Sequence, residues 1–151
     1  MSATAWAVYS NAVLEISKKV MDLSADSFFI ILATTAYTPA PNTDSTYADI
    51  SANEVATGLG YTAGGKALTS VTDTLTTATV TFTSADATWA SFSAVFRYVA
   101  ILRCANAATL QSTDKLLCYS DATGSGSITG GGGTLTISMN ASGIFTITHS
   151  P

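Results

Sequence analysis

The chain has 151 residues, enough for one domain with a sizeable core, and only 11% of them are charged against 47% that are hydrophobic. A net charge of −4 with six scattered basic residues leaves no electrostatic footprint for nucleic acid. The longest strictly apolar run, FFIILA at Phe28–Ala33, is too short to span a bilayer, so no membrane partner is expected.

The first residues, MSATAWAVYSNAV, lack the basic start and apolar stretch of a secretory signal, which predicts a protein made in the cytosol and kept there or released by lysis. Ala5–Val20 holds the one helix expected, within an N-terminal arm of residues 1–25. Val13, Ile16 and Val20 recur there at helical spacing behind Trp6 and Tyr9, as a short helix capping one end of a sheet would require. The period then switches to two. Ser27–Thr35, SFFIILATT, is apolar on both faces, as a central buried strand should be. Thr38–Ser45, TPAPNTDS, has two prolines and no periodicity and reads as a loop.

Next comes VATGLGYTAGGKALTSV, in which GYTAGGK matches the phosphate-loop pattern G-x-x-x-x-G-K and GLGYTA the loose dinucleotide pattern. A phosphate loop needs a helix whose free N–H groups meet the phosphate, and a hydroxyl after the lysine to hold Mg²⁺. Here Lys66 is followed by Ala67 and then by a Thr- and Val-rich stretch that reads as strand. No nucleotide or other cofactor is therefore expected. Gly60, Gly64 and Gly65 read as punctuation for a turn that enters a Lys66–Asp73 strand, with Tyr61 packed on the body and Lys66 a solvated or intersubunit charge.

Thr77–Thr83 alternates, with Ala78, Val80 and Phe82 on one face. Trp89 reads as a core anchor. Phe96–Cys104 sets Phe96, Tyr98, Ala100, Leu102 and Cys104 on one face, and Val99 and Ile101 between Arg97 and Arg103 on the other. Two readings of that second face stand side by side: an exposed rim, or an intersubunit contact with Val99 and Ile101 as its dry centre. Ala105–Lys115 reads as a loop. Cys104 and Cys118, near one hairpin, read as buried free thiols, with a bridge between them as the alternative. Ala122–Gly133, ATGSGSITGGGG, reads as a glycine-rich loop, a flexible tip by default, with close passage by a neighbouring chain where only glycine fits as the alternative. Thr134–Met139 and Ile144–His149 supply the last strands. Short strands separated by Gly, Asn and Ser turns predict a single all-β domain over residues 1–151, an antiparallel β-sandwich of jelly-roll type.

Chemistry-bearing constellations are sparse. The one histidine, His149, is two residues from the end of the sequence given, and one His with two separated Cys supplies no zinc spacing. Asp22 with Asp26 and Asp44 with Asp49 sit near turns and read as turn formers, with a carboxylate-based hydrolase as the rival. No catalytic, metal or cofactor site is expected. The low charge instead predicts that copies of the chain cover much of its surface.

Several segments in order resemble a family of small structural proteins of tailed bacteriophages: AWAVYSNAVLEI, DSFFIILATT, EVATGLGYTAGGKALTSV, ATWASFSAVFRYVAIL, KLLCYSD and LTISMNASGIFTI. The similarity runs over essentially the whole chain. It departs at ILRCANAATLQST, where relatives carry a shorter acidic turn, which puts the contacts of that loop in doubt. The resemblance implies a virion component without enzymatic role, a capsid decoration (cement) protein assembled in the host cytoplasm. It implies a homo-oligomer, a trimer, bound over junctions of the major capsid protein on the capsid surface. The contact elements would be the N-terminal segment, the loop with Thr38, Pro39, Pro41 and Asn42, and the glycine run Gly130, Gly131 and Gly132. The rival is a tail, baseplate or receptor-binding component, with Tyr37, Tyr47, Tyr61 or Trp89 as an exposed aromatic platform for host glycans.

Overall fold

A computed structural model describes residues 5–148. Strands take 41% of the chain and helices 9%, and every strand pairing is antiparallel, so the fold is an all-β sandwich. Its central layer is a five-stranded sheet in the order β1-β9-β8-β2-β3: Ala7–Val8 (β1), Leu116–Asp121 (β9), Tyr98–Cys104 (β8), Ser27–Ala33 (β2) and Lys66–Ala67 (β3). A three-stranded sheet follows the order β12-β5-β4, from Phe145–Thr148 (β12), Thr79–Thr83 (β5) and Thr72–Thr76 (β4). Two ribbons join Ala87–Phe92 (β6) to Gly133–Ile137 (β11), and Val95–Phe96 (β7) to Ile128–Thr129 (β10).

The apolar run of β2 explains its place. It pairs along its whole length with β8, from Ser27 opposite Cys104 to Ala33 opposite Tyr98, and both strands are buried on both faces. On one face lie Phe28, Ile30 and Leu32 with Val99 and Ile101; Phe28 meets Phe82 of β5 edge-on at 5.2 Å, which joins the two layers. On the other face lie Ile31 and Ala33 with Ala100 and Tyr98; Tyr98 meets Tyr37 edge-on at 5.7 Å. Burying whole aliphatic and aromatic side chains contributes roughly 1.5–3 kcal/mol each, so this doubly covered pair is the energetic centre. The accessible surface, 7297 Å², is close to the roughly 7,200 Å² that the size scaling gives for a compact monomer of 15.5 kDa.

The helix expected over Ala5–Val20 is shorter, Ser10–Ser17 (α1). Its first part is taken by β1, whose Ala7 and Val8 pair with Tyr119 and Cys118, leaving Tyr9 in extended backbone as N-cap. The Ser10 N–H donates to the Pro41 carbonyl, so the Thr38–Ser45 loop caps the helix. At the other end Lys19 takes φ +58°, Lys19 N–H bonds the Ile16 carbonyl and Val20 N–H the Glu15 carbonyl, a Schellman ending. The expected stripe is divided: Tyr9 is buried and Trp6 and Ile16 pack half-buried on the core, while Val13 is 59% and Val20 41% exposed.

A second helix, Tyr47–Ser51 (α2), was not expected from periodicity. Thr46 and Asp49 form a reciprocal capping box at its start, and Ile50 anchors it in the core. The Lys66–Asp73 strand is two strands: β3 ends at Ala67, and β4 begins at Thr72 after Ser70 at φ +52°. His149, expected in the last strand, lies outside the described residues.

Candidate interaction surfaces

The second face of the Phe96–Cys104 segment is not an interface. Val99 and Ile101 are fully buried within the chain, because β8 lies between β9 and β2 and carries a layer on each side. Arg97 precedes β8 and bonds Asp121 at 2.7 Å and 3.1 Å through two nitrogens. The Arg97 guanidinium holds the Asp121 carboxyl down at about 2, helped by the Thr123 and Gly124 N–H groups. Arg103 bonds Asp26 at 2.6 Å. Both arginines therefore pair within the chain, at side chains only 22–25% exposed.

The Thr38–Ser45 loop is pinned from below. Tyr9 and Tyr37 share a hydroxyl bond of 2.7 Å, Tyr37 donates to Asp44 at 2.7 Å, and the Ala40 N–H donates to the same Asp44 oxygen at 2.9 Å. Burial pushes both phenols well above the ordinary tyrosine range, helped at Tyr9 by its bond with Tyr37 and at Tyr37 by the Asp44 carboxylate. Thr38 and Asn42 are exposed on this fixed base, with Pro39 and Pro41 half-buried and Ser10 Oγ donating to the Asn42 side chain at 2.8 Å.

The glycine run is likewise fastened. Gly130 N–H donates to the Ala94 carbonyl at 2.9 Å and Gly132 N–H to the Phe92 carbonyl at 2.8 Å. A Cβ on Gly130 would strike the Phe92 backbone and ring, so the glycine is required for close approach rather than for flexibility. Within the expected loop, β10 pairs Ile128 with Phe96 and Thr129 with Val95. Gly131 and Gly132 remain exposed at its rim.

The GYTAGGK segment is organised by Glu54, which sequence reasoning left aside. Tyr61 Oη donates to Glu54 at 2.6 Å, Gly64 N–H donates to the same oxygen at 2.7 Å, and Tyr47 Oη donates to the other oxygen. Tyr61 Oη also accepts from the Leu32 N–H at 3.0 Å, tying the loop to β2. The carboxylate that a phosphate loop would keep away from its anion sits at the centre of this one. Lys66 is half-buried, and its ammonium donates to the Thr88 carbonyl and lies 5.2 Å from the Trp89 ring centre. Lys66 itself opens β3, and no helix starts there.

Of the proposed aromatic platform, Tyr37, Tyr61 and Trp89 are at most 5% exposed, and Tyr47 is half-buried on Glu54. They are core and loop fasteners. Cys104 and Cys118 are buried free thiols; Cys118 sits opposite Ile101, and burial pushes its thiol up. Among the described residues no group of His, Cys, Asp and Glu is placed to hold a metal ion, and no helix is long and apolar enough to cross a membrane.

An apolar surface that the sequence reading missed lies elsewhere. Leu75, Val80 and Ile147 stand opposite one another across β4, β5 and β12. They share a face with Phe82 and Phe145, which stack at 5.2 Å. Between β12 and α1 this face opens into a groove of about 250 Å³ lined by Val8, Val13, Ile16, Phe145, Thr146 and Ile147. No protein-family model matches the chain, and no curated protein and no solved structure matches it.

Proposed function

We propose that this chain is a structural component of a tailed-bacteriophage virion, a capsid decoration protein that binds over junctions of the major capsid protein as a homotrimer and stabilises the head. The observation that supports the reading most is the ordered set of segments quoted above, each of which has a structural task in an all-β body. EVATGLGYTAGGK forms the Glu54-centred loop, TWASF the β6 strand that carries Trp89, and KLLCYSD the β9 strand beside β8. The loops named as contact elements stand on hydrogen-bonded bases, which suits a cement protein. Ordered loops lose little entropy on docking, and many modest contacts repeated by symmetry add up through avidity. No cofactor, metal, membrane or nucleic acid has a part in this reading.

The test is localisation in purified virions of the phage that encodes the chain, by mass spectrometry of separated heads and tails and by particle reconstruction. Density for the chain over capsid-subunit junctions is the expected result. Its presence in tails alone, or its absence from mature particles, overturns the proposal.

A further inference from the structure

We propose that a second copy of this chain covers the apolar face made by the outer part of the β4–β5–β12 sheet and helix α1; this rests on the self-association within the reading above. The cross-strand row Leu75–Val80–Ile147 continues the core row Phe82–Phe145 outward, beyond the layer that covers it. Leu75 is 69% and Ile147 47% exposed, and Val13 of α1, at 59%, extends the same band across the groove. Large side chains in register on a sheet are what an opposing layer interdigitates with.

The size of the band decides between a copy and a small occupant. The outer three residues of each of three strands, spaced about 4.8 Å with about 3.4 Å per residue, give on the order of 150 Å² in projection. An eight-residue helix about 12 Å long adds roughly 100 Å². Side chains stand out of that plane, so two copies together remove roughly 500–800 Å², the size of a small, weakly associating interface.

Charge points the same way. Each molecule carries −4, so two copies approach with least repulsion where acids are fewest. On the band's sheet face the acid is Asp73, at the inner end opposite Phe82. Toward α1, Glu15 is 3.9 Å from Lys115, which offsets it. A basic partner would be drawn to the acid-bearing loops instead. The chain buries as much surface as a compact monomer should, so the copy adds a layer to a finished fold and does not complete an unfinished one.

Sedimentation of the wild-type chain between about 1 and 100 μM tests this, a range that spans the affinity of an interface this small. The expected result is an oligomer that the double variant Leu75→Lys, Ile147→Lys dissociates, with self-affinity weakened at least ~10-fold. Leu75→Lys alone serves if the double variant folds poorly, because Leu75 lies clear of the core. Leu59→Lys, an equally exposed leucine outside the band, should leave the oligomer intact. An oligomer indifferent to the band variants overturns this assignment and leaves self-association standing. A wild-type chain monomeric throughout overturns both, whatever its place in the virion.

Discussion

Gly64 and Gly65 are adjacent, both at positive φ (+90° and +64°), yet the structure separates what alanine does at each. Any L side chain in left-handed backbone costs roughly 1–2 kcal/mol. At Gly64 a Cβ meets nothing within 4 Å, so Gly64→Ala should lose little more than that. At Gly65 the Cβ lands on the Ile30 carbonyl oxygen, with Ile31 Cγ2 2.8 Å away. That carbonyl belongs to β2, held by β8 on one side and β3 on the other, so the backbone has nowhere to retreat. Overpacking against it adds about 1–3 kcal/mol, for a total of ~2–5 kcal/mol. Urea unfolding with equal slopes should read the difference as a midpoint shift, and on heating each kcal/mol moves Tm by about 2–4 °C for a chain of this size. Losses equal within ~0.5 kcal/mol, or a Gly65→Ala chain as stable as wild type, would refute the packing argument.

Two further outcomes rest on single contacts. Gly58 and Tyr61 exchange N–H···O bonds of 2.9 Å around Leu59 and Gly60, both at positive φ (+52° and +82°), the signature of a two-residue type I′ turn. Leu59 is 65% exposed there and asparagine suits that backbone better, so Leu59→Asn should stabilise by about 0.5–1 kcal/mol in thermal unfolding; a loss of stability would count against the turn assignment. Asp121, held at about 2 by Arg97 and two loop N–H groups, gives its stabilisation in full above the ordinary carboxylate pKa and loses it as pH falls from about 4 toward 2. Asp121→Asn should therefore cost on the order of 1 kcal/mol at neutral pH and flatten the acid limb of the stability curve, and an unchanged limb would contradict the pairing.

Much of the fold is legible in the residues. SFFIILA is apolar in both phases, and only a strand covered on both sides explains that. The same test, applied to YVAILRC, places Val99 and Ile101 inside; the flanking arginines drew the eye to a face that their ion pairs close at the rim. Those pairs join residues 24 and 77 positions apart, a separation at which local pattern carries no signal. Helix α2 is too short for periodicity, and its one local sign was Thr46-x-x-Asp49. Strands β1 and β10 have two residues each and exist because neighbours offer them an edge, so composition could not announce them. The band on β4, β5 and β12 stayed hidden because alternation looks the same whether the apolar face ends in core or in solvent.

The placement of the acids explains how so few charges suffice. Asp22, Asp26, Asp44, Asp49, Glu54, Asp86, Asp114 and Asp121 each accept a backbone N–H, nearly always in a loop or turn. Asp114 is the most buried, closing the Ala105–Lys115 loop by accepting from Ala105 and Gln111. Such bonds to a charged acceptor are worth more than neutral ones, so a few acids can hold loops that lack hydrophobic cores of their own. Asp26, Asp44, Glu54, Asp114 and Asp121 are buried or half-buried in these loops, whereas Asp22, Asp49 and Asp86 stay exposed while holding theirs. The rest of the exterior is mainly threonine, serine and alanine, with the apolar band and the exposed charges of Lys18, Lys19, Asp22, Asp49, Asp73 and Asp86.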